Sequence, residues 1–236
     1  AVQIARADII VMEPFPGLLA PPEQIEAVLS SRGVSNDSMI VIYDDNNNMD
    51  SARLWWTLKI YGHDAVKVVS GGFKSLQSAG AKITTDSPEI VKTDYVISEF
   101  RESMLVTAAE IRNNINTPDS NIIVIDTRTD AEVMKGNIPG SIHINYLENN
   151  FRDGSYRPPS HIKIKYLEAG IDFEKEIHLY CQTSIRASAS FLALYNAGYR
   201  NLRLFDGAWA EWSSNPLNPV YVPELPAANL GAGDQS

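Results

Sequence analysis

The stretch Leu179-Tyr180-Cys181-Gln182-Thr183-Ser184-Ile185-Arg186-Ala187-Ser188 decides how the chain is read. Cys181 is the sole cysteine in 236 residues, and it stands where an apolar strand meets a helix. Ile177-His178-Leu179-Tyr180 alternates like a short strand and ends at Cys181. From Ala187 to Tyr195, Ala, Phe, Leu and Tyr recur at helical spacing, with no Gly or Pro before Gly198. Gln182 to Arg186 is then a tight loop whose backbone N–H groups turn inward as the helix begins. Such a loop cradles anions, because N–H donors and the helix dipole both favour negative charge. A cysteine held there ionises more readily than a free thiol and becomes a nucleophile. The competing role for a lone cysteine is inert burial. The order strand, Cys, loop, Arg, helix favours chemistry.

Outward from this stretch, strands alternate with helices. Met39 to Tyr43 reads as a buried strand, Ser51 to Tyr61 as a helix ended by Gly62, and Val66 to Val69 as the next strand. Asn121 to Asp126 is a further buried strand, Ser141 to Asn145 another, and Asn201 to Phe205 the last. Helices are expected from Pro21-Pro22-Glu23 to Leu29, from Val106 to Asn114, before Gly170, and from Trp209 to Trp212. The alternation predicts an α/β fold with mostly parallel sheets flanked by helices. Residues 81–103 lack clean periodicity and read as a partly extended linker. The expected division is 1–80, the linker 81–103, a second domain 104–220 and a surface tail 221–236.

The chain also repeats itself. Gly62 precedes Val66-Lys67-Val68-Val69-Ser70-Gly71 as Gly198 precedes Leu202-Arg203-Leu204-Phe205-Asp206-Gly207, at the same spacing. Working backward, Ile40-Val41-Ile42-Tyr43 lies over Ile177-His178-Leu179-Tyr180, so Asp44 falls where Cys181 sits. One copy therefore carries a nucleophile and the other does not. Ala1-Val2-Gln3-Ile4-Ala5 matches the strand Ser141-Ile142-His143-Ile144-Asn145, while the counterpart of Ile122 to Asp126 is missing. The expectation is that the first domain lacks its opening strand here, and that the true polypeptide begins further upstream.

These residues resemble the tandem-domain rhodanese family of sulfurtransferases. The marks are Val124-Ile125-Asp126-Thr127-Arg128, Gly136-Asn137-Ile138-Pro139-Gly140-Ser141, the Cys181 loop, and Phe205-Asp206-Gly207-Ala208-Trp209-Ala210-Glu211-Trp212. The first half resembles the family's inactive domain through Val41-Ile42-Tyr43-Asp44-Asp45, Ala52-Arg53-Leu54-Trp55-Trp56 and Tyr61-Gly62-His63. The resemblance implies that Cys181 takes sulfur from a small anionic donor such as thiosulfate, becomes a persulfide, and passes the sulfur to a thiol or cyanide. It implies a persulfide cradle of Gln182, Thr183, Ser184, Ile185 and Arg186, donor binding by Arg186 and Arg128, and bracing of the Cys loop by Asp126. It also places the active site between domains, within reach of Trp55, Trp56 or Arg53, although the four tryptophans fit packing better.

Two rival readings stand beside this one. Phosphatases of the same fold use C-x5-R, whereas Cys181 to Arg186 is C-x4-R, a tighter cradle suited to one sulfur atom, with no Asp inside the loop as leaving-group acid. A sulfur-relay module would receive persulfide from a partner protein instead of a free donor, and a protein sulfur acceptor is equally compatible with the cradle.

Departures from the family pattern bear on the donor. Thiosulfate sulfurtransferases of the vertebrate type resemble C-R-K-G-V-T in this loop and mercaptopyruvate sulfurtransferases C-G-S-G-V-T, while this chain has Ser184 at the glycine position. Ser184 implies a less demanding backbone or strain. Glu132 stands where those families place a second substrate arginine, so thiosulfate or polysulfide is expected to be a better donor than mercaptopyruvate.

The remaining composition is exclusionary. A net charge of −9 argues against nucleic acid or an anionic membrane as partner, and no apolar run is long enough to span a bilayer. No cofactor is called for. The four histidines show no metal spacing, and Asp44 to Asn48 fails as a calcium loop because Met49 replaces the turn glycine and Trp55 the bidentate Glu. One cysteine permits no internal disulfide. The cytoplasm is the expected compartment, with the periplasm or export open because the start is expected to be incomplete.

Overall fold

The computed structural model describes residues 1–224. The expected tail lies mostly outside the described residues, which end three residues past an antiparallel bridge between Tyr221 and Asn137. The first half opens with a 3-10 turn at Arg6–Asp8 and an antiparallel pair, β1 (Ile10–Val11) and β2 (Leu18–Leu19). Then come α1 (Pro22–Ser31), β3 (Ile40–Ile42), α2 (Met49–Ile60), β4 (Val66–Val68) and α3 (Gly72–Ser78). After a 3-10 turn at Glu102–Met104, the second half contains α4 (Ala108–Asn116), β5 (Ile122–Asp126), α5 (Asp130–Val133) and β6 (Ile142–His143). A 3-10 turn at Tyr146–Asn149 leads to α6 (Pro159–Glu168), β7 (Glu176–Tyr180), α7 (Ile185–Asn196), β8 (Leu202–Leu204) and α8 (Ala208–Ser214).

All four strands of the second half run parallel in the order β6-β5-β7-β8. β5 and β7 lie at the centre, which is why Ile-Ile-Val-Ile-Asp and Ile-His-Leu-Tyr show little polar alternation: both sheet faces are covered. Local chemistry fixes the helix starts. Pro22 opens α1, and Thr107 caps α4 in a reciprocal pair with Glu110, whose carboxylate accepts the Thr107 N–H at 2.8 Å.

The first half holds only the parallel pair β3–β4 besides its short hairpin. Residues 1–5 form no strand, contrary to their match with the β6 region. The physical reason is pairing: β6 is held by β5 through Ile125–Ile142 and Asp126–His143, and among the described residues the first half offers no counterpart of β5. Met39 and Val41 are accordingly exposed on the β3 edge.

Two 12-residue helices join the halves. α2 and α7 pack face to face, and Trp55 lies against Phe191 and Tyr195 with ring centroids 6.2 and 5.1 Å apart. This placement explains why α2 is buried nearly all round, through Ala52, Leu54, Trp55, Trp56, Leu58 and Ile60: one side meets its own sheet and the other meets α7. The linker is no free spacer. Tyr95 is buried with its N–H on Ser30 Oγ at 2.9 Å, Asn36 exchanges two hydrogen bonds with the Val96 backbone, and the Ile97 N–H donates to Glu26 Oε1 at 2.8 Å. These polar contacts strap residues 93–97 along α1.

Candidate active site

Cys181 follows directly on β7, is 1% exposed, and precedes a loop that enters α7 at Ser184. The chain must reverse there within three residues, and it does so by putting Ser184 in the left-handed region at φ 65°. A side chain costs free energy in that conformation, of the order of 1 kcal/mol against glycine. The Ser184 hydroxyl offsets this by donating to the carbonyls of Phe205, at 3.0 Å, and Asp206, while its own carbonyl accepts from Ser188 Oγ at 2.9 Å. Of the two alternatives at Ser184, a less demanding backbone or strain, the left-handed φ gives strain, and the hydroxyl ties it down.

The turn after β8 holds the loop from the other side. The Trp209 N–H donates to the Cys181 carbonyl at 2.9 Å and the Ala210 N–H to the Gln182 carbonyl at 3.1 Å. With the carbonyls drawn outward, the N–H groups from Gln182 to Arg186 turn the other way, and among the described residues none meets a protein acceptor. Such a ring of donors at a helix start stabilises negative charge held just beyond the cysteine sulfur.

The first half roofs this loop. Gly17, at φ +89° in the turn between β1 and β2, lies so close that a Cβ there would meet the Thr183 carbonyl oxygen at 2.6 Å. The roof is anchored by Arg53 of α2, fully buried, whose Nη2 donates to the Gly17 carbonyl at 2.9 Å and whose Nη1 lies 2.8 Å from Asp206. The Leu19 N–H donates to the same Asp206 carboxylate at 2.6 Å. Arg53, named from sequence as a possible neighbour of Cys181, thus secures the loop's cover.

Arg186 projects from the first turn of α7 and is half-buried. Glu132 accepts two parallel hydrogen bonds from it, at 2.6 and 2.7 Å, a fork-on-fork geometry. That pairing holds the Arg186 guanidinium protonated well above its ordinary range; burial opposes it, and the Cys181 sulfur reinforces it. Glu132 is held down to about 2, chiefly by Arg186, with burial opposing and the Thr129 hydroxyl and N–H assisting. Tyr146, in the 3-10 turn after β6, completes the surroundings: burial raises its phenol, Arg186 lowers it, and the Cys181 sulfur raises it again.

The structure separates Arg128 from this group. Arg128 is 2% exposed, forms a buried ion pair with Asp126 at 2.6 Å, donates to the Gly136 carbonyl at 2.7 Å, and lies over the Trp209 ring at 4.3 Å. Its Nε and Nη2 donors brace the end of β5 against the 136–140 turn. Asp126 also accepts from the Tyr180 hydroxyl at 2.6 Å, so it supports the residue preceding Cys181 and not the loop itself. Tyr146, the Arg186–Glu132 pairing and the Gly17 roof escaped sequence reasoning. Only the Thr129-x-x-Glu132 capping box gave a local signal for one of them.

The model of the rhodanese-like domain matches residues 7–79 and 107–215. The chain belongs to the rhodanese family. A Mycolicibacterium smegmatis protein provisionally named a thiosulfate sulfurtransferase is 30% identical over 84% of this chain and 76% of its own length. A 3-mercaptopyruvate sulfurtransferase of Escherichia coli is 26% identical over 88% of this chain and 77% of its own length. The chain is a sulfurtransferase. Among solved structures, a variant of EanB with ergothioneine superposes with a TM-score of 0.83 at 21% identity, covering 94% of this chain and 59% of that one. The likeness is one of fold, and this chain spans about three-fifths of that structure's length. Within the rhodanese fold seen here, no helix among the described residues is long and apolar enough to cross a membrane, and no group of three or more His, Cys, Asp or Glu side chains is arranged to hold a metal ion.

Proposed function

We propose that this rhodanese moves a sulfane sulfur from thiosulfate or a related donor to a thiol or cyanide acceptor through a persulfide on Cys181. The observation that carries the reading is the set of N–H groups from Gln182 to Arg186, turned toward the space beyond a buried cysteine and left without protein acceptors. In the first step the Cys181 thiolate attacks the outer sulfur of thiosulfate, the sulfur–sulfur bond of the donor breaks, and its electron pair leaves with sulfite. The new terminal sulfur carries negative charge, which the loop N–H groups and the start of α7 stabilise. In the second step the acceptor attacks that terminal sulfur and the Cys181 thiolate leaves, giving thiocyanate from cyanide or a persulfide from a thiol. Arg186 is the cation beside the reacting sulfur. Arg128 is assigned to bracing the β5 end, with Asp126 and Tyr180.

The loop also bears on the phosphatase alternative. Arg186 is engaged fork-on-fork by Glu132, so its guanidinium is not free to grip a phosphoryl group with both arms, whereas the sulfur carried on Cys181 is held by the loop N–H groups. Steady-state thiocyanate formation with varied thiosulfate and cyanide tests the proposal. A covalent intermediate between two separate half-reactions gives parallel double-reciprocal lines. Intersecting lines contradict it. Turnover with a protein persulfide donor and none with thiosulfate would favour the relay reading.

A further inference from the structure

The Arg186–Glu132 pair lies beside the Cys181 loop, as the Arg53–Asp206 pair lies in its cover, and it bears on which donors the loop accepts. Arg186 is the cation nearest the sulfur, and both arms of its fork end on a carboxylate anchored independently of it. Glu132 accepts from the Thr129 N–H at 3.1 Å and from the Thr129 hydroxyl at 2.6 Å, as the third residue of α5. Its position is therefore set by helix capping, not by the arginine. Arg128, the other arginine of the motif, is withdrawn into its own ion pair with Asp126. The side chains around the sulfur thus sum to no net positive charge, in a chain whose overall charge is −9. Attraction for negative charge comes from the backbone N–H groups alone, and those act at short range, where one sulfur atom sits.

We propose that Glu132 is a specificity-determining residue that cancels Arg186 and turns the site away from doubly charged donors toward persulfides of thiols, whose transferred sulfur carries at most one charge. The inference rests on the persulfide reading above. The step is the same exchange with a different leaving group: the Cys181 thiolate attacks the terminal sulfur of R–S–SH, the S–S bond breaks, and the electron pair leaves as the thiolate R–S⁻, which takes up the proton. No oxidant or reductant is needed. A dianion such as thiosulfate must bring its sulfonate end close to the Glu132 carboxylate, and repulsion between these charges is only partly screened at a half-buried site.

Glu132→Gln tests this cleanly, because glutamine keeps the capping role at the third helical position while removing the charge. The measurement is the rate constant for loading Cys181, followed by quenching and intact mass, with thiosulfate and with 2-hydroxyethyl persulfide as donors, at low and high salt. The expected result is a rise of about tenfold for thiosulfate at low salt, shrinking as ionic strength increases, and a change of less than about twofold for the persulfide. Glu132→Ala, which also loses the cap, is expected to show the same donor-selective gain with a lower melting temperature. An equal change for both donors, or no gain for thiosulfate, overturns the proposal. Failure of the wild-type protein to load from either donor overturns the persulfide reading itself, and with it this inference. That outcome is distinguishable from normal loading without a Glu132 effect.

Discussion

The loop from Asp44 to Asn48 and the loop from Cys181 to Ser184 occupy equivalent places, each between a parallel strand and a 12-residue helix. Both enter the helix through a left-handed residue, Asn48 at φ 61° and Ser184 at φ 65°. Both have the first loop carbonyl tied by the turn after the next strand, Asp44 by the Phe73 N–H at 2.8 Å and Cys181 by the Trp209 N–H at 2.9 Å. They differ in what fills the ring of donors. In the first half the Asp44 carboxylate accepts the N–H groups of Asn46 and Asn48 at 3.1 Å and of Ser51 at 2.9 Å. The chain there supplies its own anion. In the second half the loop is one residue shorter, and the side chain at the equivalent place is a thiol, too short and too apolar to satisfy those donors. The same backbone device is closed by its own side chain in one copy and, on the proposed function, open to an exogenous sulfur anion in the other. On the proposed function, the first half is a filled version of the half that carries Cys181, and it also supplies the Gly17 roof and Arg53.

Substitutions in both halves and one titration can break or sharpen that comparison. The largest effect belongs to Cys181→Ser: thiocyanate formation should fall by on the order of a thousandfold or more, with the melting temperature little changed. Retained turnover would mean that the cradle does not act through this side chain. Next is Arg53→Met, which leaves the largely enclosed Asp206 opposite no cation and frees the Gly17 roof. A loss of about 3 kcal/mol or more in urea unfolding is expected, together with reduced turnover, and Asp206→Leu added to it should recover part of the stability. No change in either readout would show that the first half does not hold the loop. Asp44→Ala removes the internal anion and leaves three N–H groups at the start of α2 unsatisfied. About 1–3 kcal/mol should be lost, while the rate of Cys181 loading stays as in the wild type.

Ser184 separates backbone strain from hydrogen bonding. Ser184→Ala keeps the left-handed strain and loses the bonds to Phe205 and Asp206, whereas Ser184→Gly loses the bonds and relieves the strain. The alanine variant should therefore be the less stable by about 1 kcal/mol in matched unfolding curves. The smallest effect is the acid limb of stability. Glu132 titrates at about 2 in the folded protein, below its ordinary 4.5, so the stabilisation it contributes is present above about 4.5 and is lost as pH falls toward 2. Glu132→Gln should flatten that part of the curve, and an unchanged acid limb would argue against the ion pair with Arg186 in solution.

Much of this was readable in the sequence because it rests on local pattern. The alternation around Cys181 and the helix after it follow from residues within a few positions of each other, and the match of Asp44 with Cys181 from laying one such stretch over another. Helix ends moved by at most two residues, as when Met49 proved to open α2 ahead of Ser51. What escaped depends on contacts distant in the chain. Arg186 meets Glu132 across 54 positions, and Gly17 meets Thr183 across the two halves. Arg128 is instructive because its partner is only two residues away. Asp126-Thr127-Arg128 at the end of a doubly covered strand can form a local buried pair, and the arginine was expected to face substrate because the motif, not the burial of β5, guided that assignment.

The central claim is that the open cradle, and only the open cradle, takes up sulfur. Intact-mass analysis of the wild-type protein, Asp44→Ala and Cys181→Ser after exposure to thiosulfate or 2-hydroxyethyl persulfide tests it most directly. The account predicts a gain of one sulfur atom in the first two, removed by cyanide, and none in the third. An unaltered mass for the wild type with both donors, or a cyanide-labile gain that survives in Cys181→Ser, would contradict it.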